Sequence, residues 1–274
     1  MELNKQIWFF WNQGMDKMPE LVKNCYNSWK LFNRDYEVIF LDKNNLYNYV
    51  SIHPEILNNK NISIQALSDI IRINLLAQNG GVWVDATCFC VKPLDAWLEK
   101  YLENGFFAFS KPNSDKLISS WFLVSTNDNY IINKWCNLVN SYWIDNPELT
   151  DGGKYPMLSY VQLRLFPFLG IKYAVSFANH LTKYLNTYPY FYFHYLFNQA
   201  YFDDIQFKEI WDSTHKLLAS GPHKLLVSGF DKKFDKEIEN DFNNRITPLY
   251  KLSHKISYDP HKKNSVINSL FKLD

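Results

Sequence analysis

The stretch Ser63 to Cys90, SIQALSDIIRINLLAQNGGVWVDATCFC, constrains the fold more than any other part of the chain. Placed at about 100° per residue, Ser63 to Gln78 reads as a helix. Gln65, Ser68, Asp69 and Arg72 then share one narrow arc, with Leu76 the only apolar residue among them. Ile64, Ala66, Leu67, Ile70, Ile71, Ile73, Leu75 and Ala77 cover most of the remaining circumference. So apolar a helix is buried in a sizeable core, and its polar stripe must face a cleft, a partner or an internal ion pair. Asp69 and Arg72, three apart, lie side by side on that stripe. Asn79, Gly80 and Gly81 end the helix, because glycine tolerates the left-handed C-cap. Val82 to Asp85 reads as a short buried strand, with Trp83 and Asp85 pointing to the same face. Ligands of open α/β sheets sit beyond the carboxyl ends of the strands. Asp85 stands at such an end, and the two glycines allow close approach of a ligand or a neighbouring backbone. Taken singly, these features are a turn cap, a salt bridge and a tight turn. Their convergence on one edge points to a functional site.

The remaining chain supplies a sheet for that edge. Gln6 to Trp11 reads as a first buried strand ending in the loop Asn12 to Gly14. Pro19 to Phe32 reads as a helix with Val22, Cys25, Trp29 and Phe32 as its apolar stripe. Tyr36 to Leu41 is a second strand, closed by Asp42 as a cap for the segment that follows. This β-α-β opening calls for a parallel sheet, which puts Trp11, Gln13 and Gly14 at the same edge as Asp85. Asn44 to Val50, Pro54 to Leu57 and Pro93 to Leu102 are expected helices. Phe106 to Ser110 and Ile118 to Ser125 are expected strands, separated by a turn at Pro112 to Asp115. Strict alternation puts Ser119 and Trp121 on one face of the second strand, Ser120 and Phe122 on the other. Helices are expected over Tyr130 to Trp143, over Pro156 to Phe168, and in the aromatic run Tyr188 to Asp203, where His194 and Asn198 are four apart. Asp145 to Tyr155 reads as a loop. Ser257 to Asp274 reads as a loosely ordered tail with a short helical end.

Composition narrows the class. The 274 residues are 47% hydrophobic, enough for one large core, and the formal net charge of +1 argues against a general nucleic-acid binder. Cys25, Cys88, Cys90 and Cys136 lack zinc spacing and read as reduced, buried thiols. The start of the chain lacks a signal-peptide pattern, and no run reaches the ~18 apolar residues of a spanning helix. The expected location is cytoplasmic, with peripheral association at the inner face of the membrane.

The pattern SDxxRxxxLxxxGGVWVD resembles the donor-site signature of glycosyltransferase family 32 and its relatives, among them the large clostridial glucosylating toxins. The variant GGVWVDAT is similar to the capsular polysaccharide synthesis branch, as are the opening IWFFWNQGMDKMPELVKNCYNSWKLFNRDYEVIFLD and the closing TPLYKLSHK. The resemblance implies a GT-A-like fold, a Rossmann-type mixed and mainly parallel sheet flanked by helices, with a helical C-terminal part. It implies a single domain over 1–274, of which 1–125 is the nucleotide-sugar-binding core and 126–274 the mainly helical acceptor side and tail.

The reaction implied is transfer of a sugar, with retention, from a nucleoside diphosphate, expected to be a UDP-sugar. The acceptor is an oligosaccharide or a lipid-linked saccharide of capsule, extracellular polysaccharide or O-antigen. Asp85, Asp69 and Arg72 would be catalytic, and Trp11 would stack on the base. Gln13, Gly14, Ser68, Gly81, Trp83, Ser120, Lys251 and His254 would complete the donor site. Family members hold Mn²⁺ or Mg²⁺ with two acids of an Asp-x-Asp motif, but here the motif is Asp85-Ala86-Thr87. Either Asp85 with Thr87, water and diphosphate holds the metal, or Arg72, Lys251 and His254 carry more of the charge. The other reading is a carbohydrate-binding or scaffold protein that keeps the fold without turnover.

Overall fold

The computed structural model describes residues 2–155, 160, 164–233 and 235–272. Its centre is a five-stranded sheet. The chain opens with β1 (Gln6–Phe10), α1 (Glu20–Phe32), β2 (Glu37–Leu41) and α2 (Pro54–Leu57). The buried helix follows as α3 (Ile64–Asn79) and runs into β3 (Gly81–Asp85) and β4 (Cys88–Cys90). A hairpin of β5 (Phe106–Asn113) and β6 (Lys116–Ser125) precedes α4 (Tyr130–Asp145). The sheet order is β2-β1-β3-β6-β5. Strands β2, β1 and β3 are parallel, so Phe10 lies between Leu41 and Asp85 at one common carboxyl edge. Strand β6 runs antiparallel to both β3 and β5. The expected mixed α/β sheet with flanking helices is what the structure shows.

Two apolar clusters cover the two faces. On one, Ile70, Ile71, Ile73 and Leu75 of α3 pack with Trp8, Trp83, Trp135 and Phe193. On the other, Trp29 packs with Ile7, Val82, Val84 and Phe122, and with Leu249, Tyr250, Val266 and Leu270 from the end of the chain. Both clusters therefore draw on residues before and after position 125.

Several local expectations give way to tertiary packing. Pro93 to Leu102 is two short 3₁₀ turns, Leu94–Ala96 and Glu99–Tyr101. Trp97 leaves helical geometry between them to pack against Phe107, Phe109 and Phe122. Asn44 to Val50 keeps only a 3₁₀ turn at Leu46–Asn48. Within the expected loop, Thr150–Asp151 pairs with Thr187–Tyr188, and the aromatic helix starts at Tyr192, after Pro189. The tail is anchored by the buried helix Val266–Leu270. Most of the helix expected over Pro156 to Phe168 lies outside the described residues. No described helix is long and apolar enough to cross a membrane.

Strand β6 breaks the strict alternation. Its ladder with β5 jumps from Ala108↔Leu123 to Ser110↔Ile118, leaving residues 119–122 opposite a single residue of β5. Such a bulge bends the strand and re-aims its side chains. Trp121 and Phe122 consequently pack into the same cluster instead of on opposite faces.

Gly81, expected in the donor site, stands away from the cleft and packs closely on a neighbouring backbone. It begins β3, at the strand end opposite Asp85, with φ +89°. A Cβ there would stand 2.7 Å from the Gln6 carbonyl oxygen and 3.1 Å from Trp8 Nε1. Gly81→Ala should therefore destabilise the protein by roughly 1–3 kcal/mol, the scale of backbone strain plus contact. Chemical denaturation of the variant measures this, and an unchanged midpoint would mean that the neighbouring backbone yields to the added methyl at no cost.

Candidate functional site

Beyond the carboxyl edge of β1 and β3 lies a cleft of about 750 Å³. Its floor is built around Arg72. The N-cap of α3 is Ser63, whose hydroxyl accepts the Ala66 N–H. The helix then presents Ser68, Asp69 and Arg72 to the cleft, the stripe its sequence pattern gives. Arg72 Nη1 lies 3.1 Å from Asp69 Oδ1 and donates to the Ser120 carbonyl at 2.9 Å. Nη2 lies 3.1 Å from Asp85 Oδ1 and 3.3 Å from Ser68 Oγ. The guanidinium lies over the rings of Trp83 and Phe193, at 5.2 and 5.7 Å. Ser120 contributes its backbone oxygen to this cluster because the β6 bulge turns it inward.

Asp85 is the second hub. Its Oδ1 also accepts the Trp83 indole N–H at 3.0 Å, as the shared strand face requires. Its Oδ2 is 3.2 Å from the Lys251 ammonium, which donates to Thr87 Oγ1 at 2.5 Å. Lys251 arrives on the strand Leu249–Lys251, which pairs antiparallel with β4 so that Lys251 faces Cys88. The Leu252 N–H donates to the Thr87 carbonyl at 2.7 Å, fixing that register beside the Asp85-Ala86-Thr87 turn.

Burial opposes the charge of every member, and the partners decide the outcome. Burial works to raise the Asp85 carboxyl, but Arg72 and Lys251 outweigh it and hold the pKa below the ordinary range. Burial works to lower Arg72 and Lys251, yet the carboxylates beside them, Asp85 first, keep both raised. Asp69 has only a share of Arg72, and burial lifts it to about 7, with the Asp85 charge adding to the rise.

Of the expected donor-site residues, Trp11, Gln13, Ser68, Asp69, Arg72, Trp83, Asp85, Thr87, Ser120, Lys251 and His254 line the cleft. Trp11 meets the His254 ring perpendicularly at 5.4 Å. Gly14 and Gly81 do not line it. Gly14 sits in the turn after β1 beside Asp42, whose side chain caps the next segment by accepting the Asn44 N–H. His223 reaches the cleft against Trp121, whereas Lys224 turns away to Asp241 at 2.6 Å.

The far wall was legible in the sequence only through His194. There Lys116 and Asp115 form a buried pair at 2.8 Å, with the Tyr195 hydroxyl donating to Asp115. Asn198 binds the backbone of the same turn and so is structural. His194 faces the cleft with its Nδ1 buried and without a hydrogen-bond partner among the described residues. Burial, reinforced by Lys116, holds its pKa well below the usual imidazole range. The sequence signal for this wall was His194 and Asn198, four apart in the aromatic run; nothing local marked Asp115 and Lys116 as a buried pair.

The raised Asp69 carboxyl makes a pH prediction. A group that titrates at 3.8 when unfolded and about 7 when folded stabilises the fold most at low pH. That contribution is lost as the pH rises through about 7. Thermal melts should show the parent losing stability relative to Asp69→Asn between about pH 4 and 7, with a constant gap above. A gap independent of pH would mean that Asp69 is ionised throughout.

The family described as capsular polysaccharide synthesis protein matches residues 1–161 and 170–270. The chain is 25% identical over 180 residues to the O-glycosyltransferase braB of Annulohypoxylon truncatum, covering 58% of this chain and 42% of that one. It is 23% identical over 177 residues to the O-glycosyltransferase PaGT of Phomopsis amygdali, covering 58% and 43%. It thus spans about two fifths of the length of these curated relatives. Among solved structures, the PaToxG glycosyltransferase is similar with a TM-score of 0.43 and 14% identity, over 77% of this chain and 73% of that one. The family match takes in both the strand that ends in Asp85 and the tail that delivers Lys251: the chain belongs to the capsular polysaccharide synthesis protein family.

Proposed function

We propose that the cleft is the donor site of a glycosyltransferase. The donor is a nucleoside-diphosphate sugar, a UDP-sugar in the first instance. The acceptor is a hydroxyl of a growing capsular or extracellular polysaccharide or an O-antigen saccharide. The observation that carries this reading is the pair of cations, buried Arg72 and part-buried Lys251, held on Asp85 at the carboxyl edge of the parallel strands. The names of the relatives, both O-glycosyltransferases, support the reaction class.

The chemistry follows from the charges. The bond from the anomeric carbon to the diphosphate oxygen breaks, and its electron pair goes to the departing diphosphate. The acceptor oxygen bonds to the anomeric carbon, and its proton passes to the leaving phosphate oxygen. Cationic groups fixed in advance at the developing charge lower the barrier, and Arg72 and Lys251 are so fixed. Asp85 and Asp69 are the only carboxylates among the described residues lining the cleft, and both are paired with Arg72. Among the described residues no unpaired carboxylate stands ready as a nucleophile, or as a base to draw the acceptor onto the far face, which favours attack on the face the diphosphate leaves, and hence retention. Trp11, beyond the end of β1, is the platform for the base.

A panel of nucleotide sugars, with release of nucleoside diphosphate as the readout, tests the reading. The protein should turn over at least one of them. Asp85→Asn should lower that rate at least about tenfold, or ~1.4 kcal/mol, while melting as a folded protein. Donor binding without release across the whole panel would make this a carbohydrate-binding relative instead of an enzyme. Trp11→Ala should weaken binding of the preferred nucleoside diphosphate by roughly 1–3 kcal/mol, the scale of base–aromatic stacking. Calorimetry giving parental affinity in the folded variant would remove Trp11 from the base site.

A further inference from the structure

The family resemblance implies a divalent cation at Asp85-Ala86-Thr87, and the residues present do not fit one. A hard divalent cation gathers six or more oxygen ligands, with carboxylates supplying the charge. Here the motif has one carboxylate, and its oxygens are taken. Oδ1 accepts from Trp83 and Arg72, and Oδ2 from Lys251. Thr87 Oγ1, the other motif oxygen, also accepts from Lys251. Among the described residues, no group of three or more His, Cys, Asp or Glu side chains is placed to hold a metal ion.

What stands between the two motif oxygens is itself a cation. Lys251 is not a surface side chain that has drifted inward. Its neighbours Leu249, Tyr250 and Leu252 are buried, and the pairing of its strand with β4 sets its position against Cys88. An ammonium has three N–H donors. Two are used on Asp85 and Thr87, leaving one for a ligand in the cleft that Lys251 lines. Arg72, on the other side of Asp85, supplies a second fixed positive charge.

We propose that Lys251 replaces the divalent cation: the donor's diphosphate binds the Lys251 ammonium beside Arg72, and the site takes it without a metal. This rests on the nucleotide-sugar reading of the cleft. It accounts for the threonine at the third motif position, since a second carboxylate there would compete with the diphosphate for the same ammonium.

Two measurements on the intact chain decide it. The first is a Mn²⁺ titration of the free protein followed by electron paramagnetic resonance. No stoichiometric binding is expected in the micromolar range, and a tightly bound equivalent overturns the proposal whatever the nucleotide. The second is calorimetry with UDP, GDP, ADP and CDP, in EDTA and in Mn²⁺. The preferred nucleoside diphosphate should bind equally in both, and Lys251→Met, which keeps the apolar stem, should bind it at least tenfold more weakly in EDTA. A tenfold gain on adding Mn²⁺ to the parent, or parental affinity in a folded Lys251→Met, overturns the proposal while leaving the donor site standing. No binding of any of the four removes the donor site and this proposal with it. Should Lys251→Met fail to fold, the parent's response to Mn²⁺ decides alone.

Discussion

One buried guanidinium holds the site together. Arg72 joins three elements that are distant in sequence: its own helix through Ser68 and Asp69, the end of β3 through Asp85, and the bulge of β6 through the Ser120 carbonyl. Burying a charge is costly unless it is paired and hydrogen-bonded. Here the planar fork of donors reaches two carboxylates, a carbonyl and a hydroxyl, with the rings of Trp83 and Phe193 against it. The arrangement leaves little freedom for α3 to slide against the sheet. The polar stripe of a nearly all-apolar helix is therefore a structural joint and a functional surface at once.

Two acids around one arginine do not behave alike. Asp85 has two cations and an indole donor and stays ionised. Asp69 has a share of one cation, in deeper burial, and titrates near neutrality. Asp85 is thus a permanent anchor for positive charge, whereas the charge of Asp69 is conditional. Functional sites are where such divergent environments gather. The net result at the sheet edge is two fixed cations sharing one permanently charged carboxylate.

The opposite wall is organised by a different pair. Asp115 and Lys116 are both buried in the β5–β6 hairpin and are clamped by Tyr195 and Asn198 of the helix Tyr192–Asp203. This clamp ties the hairpin tip to the helix. The same helix carries the neutral His194 along the cleft. The two walls therefore differ in character: Arg72 and Lys251 sit on Asp85 at the strand ends, with the Asp115–Lys116 pair and a neutral imidazole across from them.

Local rules read much of this from the chain. The 3.6-residue period placed Asp69 beside Arg72, and the two-residue period placed Trp83 beside Asp85. The β-α-β order made the first strands parallel, which brought Trp11 to the edge where Asp85 stands. Each of these depends on residues a few positions apart, where backbone geometry leaves few choices. The structure alone decided the rest. Lys251 lies 166 residues from Asp85 in sequence, and only the pairing of the last strand with β4 puts its ammonium between Asp85 and Thr87. Only the ladder with β5 reveals the bulge that turns Ser120 inward. Only the parallel pairing of β3 with β1 shows that Gly81 lies against the Gln6 backbone. The amino-acid sequence by itself determined the helix, the strand and the charged edge they share, because those follow from periodicity. Tertiary structure decided which cation meets that edge, because no local rule relates residues that only long-range pairing brings together.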